Sequence, residues 1–226
     1  MLGDYALTIL GAARVTLTLA GASLLLSVVL GMVGAACKLS RRRWLRLLAG
    51  GYTGLMRGVP DLVLLLLVFY SLPALVNQGL EAFGSDAYFE LDPWVAGILT
   101  LGAIFGGYMT ETFRAALQNV PRGQIEAGLA CGFGPIALLR LIIAPQMIRL
   151  ALPGFANNWL VLAKATALVS LIGLHDVMFR ARGAAEATGQ PFLFYLVAAG
   201  FYLAVTLVSV GVLRLVADRY AFERRE

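Results

Sequence analysis

The sequence predicts an all-α membrane protein, a bundle of five spanning helices, and three observations carry that prediction. Of its 226 residues, 60% are hydrophobic and only 14% charged, against about 25% charged in ordinary soluble domains. Four uncharged stretches, Val15 to Cys37, Leu62 to Leu80, Pro93 to Thr110 and Ala187 to Leu213, each reach or exceed the roughly 18 residues that let a helix cross a bilayer. The loops between the early stretches alternate in charge sign, as the loops of a threaded chain do.

Taken in order, the N-terminal MLGDYALTILGAARVTLTLAG has no basic leader followed by a small-residue cleavage site. It reads as a short external helix and then a retained first span. Lys38, Arg41, Arg42, Arg43 and Arg46 follow that span without an acid among them, which marks the cytoplasmic side. The second span runs from Leu62 to Leu80. Glu81, Asp86, Glu90 and Asp92 come next without a base, so that loop is external. The third span ends near Thr110 and leads into an inside loop from about Ala115 to Arg149. Leu150 to Leu174 is interrupted only by Lys164 and supplies the fourth span, though Asn157, Asn158 and Lys164 keep it from facing lipid all round. After the fifth span, the tail DRYAFERRE lies inside with Arg219, Arg224 and Arg225. Arg180 and Arg182 are the exception, because this threading puts them outside.

The net charge of +5 therefore follows from topology. The bases flank spans instead of forming one stripe, which argues against nucleic-acid binding. Cys37 and Cys131 fall at or beyond the cytoplasmic face, where a disulfide would not persist. His175 is the only histidine and no cysteine pair has ligand spacing, so no zinc site is expected. A phosphate-binding G-x-x-x-x-G-K-[ST] loop is missing, and the two lysines, Lys38 and Lys164, cannot form one. No cofactor is expected in this chain. Glycines in GMVGAAC (31–37) and GAIFGGY (102–108) read as close-packing positions between helices. Tyr52, Tyr70, Trp94, Tyr195 and Tyr202 lie mostly near span ends, as interfacial anchors do.

The inside loop NVPRGQIEAGLACGFGPIALLRLIIAP, residues 119 to 145, is the informative part. Gln124 to Cys131 can form about two helical turns, GFGP stops them, and Pro135 starts another helix where a missing N–H costs nothing. Two short helices at a glycine-rich elbow make a cytoplasmic knob suited to docking.

This loop resembles one in permease subunits of ATP-driven bacterial importers, whose pattern is EAA, three residues, Gly, nine residues, Ile, one residue, Leu-Pro. Here Glu126, Ala127 and Gly128 are followed by Gly132, Ile142 and Ala144-Pro145 at each of those spacings, with Gly128 and Ala144 in place of the usual Ala and Leu. RGVPDLVLLLLVFY, TETFRAAL, ALPGFANNW and KATALVSLIGLHDV extend the resemblance, over nearly the whole chain, to the polar amino-acid importers. It implies a MetI-like transmembrane domain of a type I ABC importer over residues 1–226. In that family the loop helix docks on a cytoplasmic ATPase. Implied partners are two ATPase subunits that bind the ATP, a second permease subunit, with a distinct chain favoured over a copy, and an external binding protein. Glu126 is the expected polar contact to the ATPase, and Gly132 permits the elbow. The implied location is the bacterial inner membrane, with alternating access as the mechanism.

Candidate substrate residues are the intramembrane polar groups, which are costly in lipid and need a reason to be there. Arg57 and Asp61 head the second span in RGVPDLVLLLLVFY. Four residues apart, they can pair on one helical face, but Pro60 disfavours helix at Val59 and suits a helix start. An acid directly after that proline resembles the version found in importers of cationic amino acids (histidine, arginine, lysine, ornithine). A carboxylate in a cavity wall offsets the hydration a cationic side chain loses there and penalises neutral competitors. The alternative is a permease for other polar amino acids such as glutamine, with Asp61 structural. Glu111 either pairs with Arg114 three residues on or contacts substrate. Asn157 and Asn158 either hydrogen-bond the α-amino and α-carboxylate groups or join helices. Lys164 faces a choice between an interior ion pair and a role in permeation. A secondary transporter is the rival class, but neither its usual length nor a repeat is present. An enzyme would have only His175-Asp176 as a base and its orienting partner, without a nucleophile motif.

Overall fold

The computed structural model describes residues 2–220, so Arg224 and Arg225 of the tail lie outside the described residues. The chain is a helical bundle. α1 (Leu2–Gly11) leads into α2 (Ala13–Leu39), α3 (Arg43–Gly58) and α4 (Asp61–Leu66). A π turn at Leu67–Ser71 joins α4 to α5 (Leu72–Ala82), and α6 (Pro93–Gln118) follows. The knob is α7 (Arg122–Ala130) and α8 (Pro135–Leu138), which continues through a second π turn, Leu139–Ile143, into α9 (Ala144–Ala165). A 3-10 segment, Thr166–Ile172, then α10 (Val177–Thr188) and α11 (Pro191–Tyr220) complete it. Among the described residues, five helical stretches are long and apolar enough to cross a membrane: Tyr5–Leu39, Asp61–Ala82, Pro93–Gln118, Pro135–Ile172 and Pro191–Arg219.

Both π turns precede a proline. The ring of a helical proline clashes with the carbonyl four residues back, which is Phe69 for Pro73 and Leu141 for Pro145. Each of those carbonyls falls inside a π turn, where the widened ring of the helix makes room without ending it. This is why the fourth crossing is longer than the expected Leu150 to Leu174: the helix already runs at Pro135 and passes Pro145 unbroken.

The framework is the pair α2 and α6. Lipid offers no hydrophobic drive between helices, so close van der Waals contact must hold them. A Cβ at Gly31 would lie 2.5 Å from Met109 Cβ, and one at Gly102 would lie 2.5 Å from Leu26 Cδ2. Larger side chains at either place would force the backbones apart. α6 starts sharply because Asp92 caps it, accepting from the N–H groups of Trp94 (2.8 Å) and Val95 (3.1 Å).

Three apolar clusters fill the bundle. The central one joins Leu19 of α2, Leu64 and Leu65 of α4, Leu101, Ile104 and Phe105 of α6, Leu162 of α9 and Val169. A second ties α1, α10 and α11 through Ile9, Val177, Ala181 and Phe194. The third, toward the knob, holds Ala35, Met109, Phe113, Met147 and Ala151.

α3 leaves the expected five-span threading in place but gives the segment between the first two spans a structure of its own. Its C-terminal half enters the bundle. Tyr52 donates its hydroxyl to the Ala103 carbonyl at 2.6 Å, and Met56 lies where Gly107 leaves space. The second crossing, Asp61–Ala82, thus starts at a break, Val59-Pro60, from a preceding helix whose Met56 and Arg57 pack on Gly107 and Tyr108 of α6. Arg182 on α10 forms an i,i+4 pair with Glu186 at 2.8 Å and Arg180 is exposed, so the two exceptional bases belong to a surface helix between spans.

Candidate functional site

The break in the second crossing places charge in the bundle. Val59 (φ −106°, ψ 138°) is extended, and Pro60 (φ −56°, ψ 135°) precedes the new helix. Asp61 is the first residue of α4, where the positive end of the helix dipole favours a carboxylate. It is half-buried. Pairing at i,i+4 requires one continuous helix, and the break removes it: among the described residues no ion pair joins Arg57 to Asp61. Arg57 instead lies over the Tyr108 ring, its guanidinium carbon 5.4 Å from the centroid, a cation–π contact between α3 and α6.

Glu111 is held twice. Arg114 donates from Nε at 2.9 Å, the i,i+3 partner the sequence offers, and Lys38 from the end of α2 binds the other carboxylate oxygen. Arg114 also donates to Gln118 at 2.9 Å. Glu111 therefore locks the C-terminal parts of α2 and α6 together. The Asn157-Asn158 pair divides. Asn158 is 8% exposed, and its amide donates to Thr112 Oγ1 at 3.1 Å and approaches Met109 Sδ at 3.7 Å, so it joins α9 to α6. Asn157 is exposed on another face of α9. Lys164, in the last turn of α9, is also exposed and makes no ion pair among the described residues, so an interior pair within this chain is not found.

The knob is built around two glycines. α7 ends at Cys131, and Gly132 takes φ +79°, which returns the chain so that Phe133 N–H reaches the Gly128 carbonyl at 3.0 Å. Gly128 is buried; a Cβ there would lie 2.6 Å from Ile142 Cδ1 and 2.8 Å from Leu138 Cδ1. The spacing from Gly128 to Ile142 is thereby explained, since the two touch. Pro145 follows as the residue that imposes the second π turn. Glu126 and Ala127 are exposed, and so are Leu129, Phe133, Ile136 and Leu139, an apolar patch at the tip of a helical hairpin.

Residues 27–222 match the family described as "Binding-protein-dependent transport system inner membrane component". The chain belongs to this family. It is 50% identical over 221 residues to the histidine/lysine/arginine/ornithine transport system permease protein HisQ of Salmonella typhimurium, covering 98% of this chain and 96% of that one. It is 39% identical over 225 residues to the arginine ABC transporter permease protein ArtQ of Haemophilus influenzae, covering 99% of each. The octopine transport system permease protein OccQ of Rhizobium radiobacter is 38% identical over 210 residues, 93% of this chain and 89% of that one. Among solved structures, one titled as an amino acid ABC transporter with histidines superposes with a TM-score of 0.81 at 30% identity over 96% of both chains. An inward-facing MetNI methionine ABC transporter gives 0.73 at 15% identity over 95% of this chain and 96% of that one, a likeness of fold. The five-span, MetI-like fold is thus the fold of this family, and its members are permease subunits, transport proteins whose ATPase is a separate chain.

Sequence reasoning missed Lys38 as the partner of Glu111, because 73 positions separate them and nothing local links them. Thr112 and Tyr108 were equally hidden, since each acts through a residue on another helix.

Proposed function

We propose that this chain is the permease subunit of an ABC importer for cationic amino acids, forming half of a translocation pathway in the bacterial inner membrane. The observation that carries the reading is Asp61: a half-buried carboxylate at the break that heads the second crossing, not neutralised by Arg57. A carboxylate kept at the head of a span without an internal cation is matched to a cationic passenger. The substrates named for these relatives, histidine, lysine, arginine and ornithine, agree with that chemistry.

Asn157 stands on an exposed face of α9 and is the amide left to serve substrate, with Asn158 and Glu111 holding the wall in place. The N-terminus is periplasmic and the C-terminus cytoplasmic, in keeping with the loop charges. The α7–α8 knob docks on an ATPase through Glu126 and the apolar tip, while Gly128, Gly132, Ile142 and Pro145 keep the hairpin rigid enough to transmit motion. A second permease, a distinct chain, completes the pathway, and a periplasmic protein delivers the solute. ATP-driven closure of the ATPases turns the cavity from outward to inward.

Uptake into proteoliposomes loaded with ATP tests this. Labelled arginine is expected to accumulate, labelled glutamine is not, and Asp61→Asn is expected to abolish arginine uptake. Glutamine uptake equal to arginine uptake, unchanged in the variant, contradicts the reading.

A further inference from the structure

Lys164 has no role in anything said so far. It lies two residues beyond Leu162, which is fully buried in the central cluster against Leu101, Ile104 and Phe105, the middle of α6. The lysine is therefore near the middle of the membrane, yet it is exposed on the surface of this chain. Asn157 and Val161 are exposed with it, seven and three residues earlier, so the three mark one face of α9, distinct from the face on which Asn158 and Leu162 are buried. A face carrying an amide and an ammonium at that depth is not a lipid face; such groups point into a bundle interior or a wetted cavity.

The second half of the argument is the position of Asp61. α4, which begins with Asp61, packs against the 3-10 segment that begins two residues after Lys164, and Leu64, Leu65, Leu162 and Val169 share one cluster. Acid and base thus flank the same apolar cluster from two elements, and no ion pair joins them. Two opposite charges that flank one apolar cluster, joined by no ion pair, are complementary to a molecule with a cation at one end and an anion at the other. An amino acid with a basic side chain is such a molecule.

We propose that Lys164 binds the α-carboxylate of the transported amino acid while Asp61 binds its side-chain cation. This rests on the proposed function and deepens it. Asp61 selects the tail, and Lys164 selects amino acids over amines of the same tail. The site would reject a decarboxylated cation, because the ammonium of Lys164 would then be desolvated without a partner.

The test is equilibrium binding of labelled L-arginine to the assembled permease–ATPase complex in lipid nanodiscs, without the binding protein, displaced by unlabelled arginine or by agmatine, which is arginine without its carboxylate. The native complex is expected to favour arginine by about thirtyfold or more, the loss typical of leaving one member of a buried charge pair alone. Lys164→Met is expected to weaken arginine to the agmatine level and leave agmatine unchanged, and Lys164→Arg to keep most of the preference. Equal affinities in the native complex overturn the proposal without any variant. So does a Lys164→Met complex in which both ligands weaken together, or one in which the two permeases no longer assemble, which would make Lys164 the partner of an acid across the subunit interface. Asp61 is judged by a different ratio, arginine against citrulline, so either assignment can fail alone.

Discussion

The ammonium of Lys38 and the carboxylate of Glu111, 73 positions apart, meet at the C-terminal parts of α2 and α6, and Arg114 binds the other oxygen of the same carboxylate. The result is a charged clasp across the tightest helix pair in the bundle. Lys38 and Glu111 have side chains only 16% and 20% exposed, so neither can be released to water without moving a helix end.

Removing one member of the clasp is expected to destabilise more than removing both. Glu111→Leu leaves Lys38 part-buried and uncompensated, a cost of about 2 kcal/mol, between exposed and fully buried ion pairs. Adding Lys38→Met should recover part of it. The thermal midpoints of the purified complexes, compared as a double-mutant cycle, measure the coupling. Additive effects would mean the contact contributes nothing to stability.

The α2–α6 approach depends on glycine. Gly102→Val puts branched carbon against Leu26 and is expected to cost about 3 kcal/mol, the upper end for overpacking, because Leu26 Cγ and Cβ, at 2.8 and 2.9 Å, cannot swing away as a side-chain end can. Gly21→Ala in the same α2 has open space at its Cβ and is expected to be neutral. Thermal stability of the two variants, read side by side, separates packing from a general intolerance of glycine substitution.

The knob makes a separable prediction. Gly132→Ala forces a Cβ into a left-handed residue at a cost of about 1–2 kcal/mol. Its expected signature is weaker substrate-stimulated ATP hydrolysis with arginine binding to the complex intact. Loss of binding with normal stimulation would place the effect elsewhere.

Asp176 caps α10 through Oδ1, accepting from Phe179 N–H at 2.8 Å, while Oδ2 is buried near the Tyr202 hydroxyl. Burial pushes its carboxyl up to about 6, outweighing the backbone N–H groups and the Tyr202 hydroxyl that favour the charged form. A raised acid binds its proton more tightly in the folded protein, so its contribution is complete below the ordinary value near 3.8 and is lost as pH rises through about 6. The thermal midpoint should therefore fall as pH rises from about 4 to about 6.5. Asp176→Asn keeps the cap and should flatten that dependence, raising stability at pH 7.5. An unchanged slope in the variant would assign the dependence to other groups.

Much of this was legible because local rules and global packing agree. α6 announces itself by Asp92-Pro93, a cap followed by a proline at the first position, and by eighteen residues without charge. The hairpin at 122–138 was readable from Gly132 and Pro135, each doing what only that residue type does. α3 was not, because its charges and glycines resemble a loop, and its burial depends on Ala103 and Gly107 in another span. The π turns were hidden because a proline inside a helix signals a stop or a kink, and only tertiary packing decides that the helix continues. Among site residues, Asp61 could be found from Pro60. The division of labour between Asn157 and Asn158 could not, since it turns on which of two adjacent amides meets Thr112.

The most direct measurement of the central claim is ATP hydrolysis by the reconstituted complex with its binding protein, titrated with arginine, histidine, glutamine and glutamate, for the native chain and Asp61→Asn. The account predicts stimulation by arginine and histidine only, and its loss in the variant while basal hydrolysis and assembly persist. Stimulation by glutamine as strong as that by arginine, or an Asp61→Asn complex that still responds fully to arginine, would contradict it and leave selectivity to the binding protein.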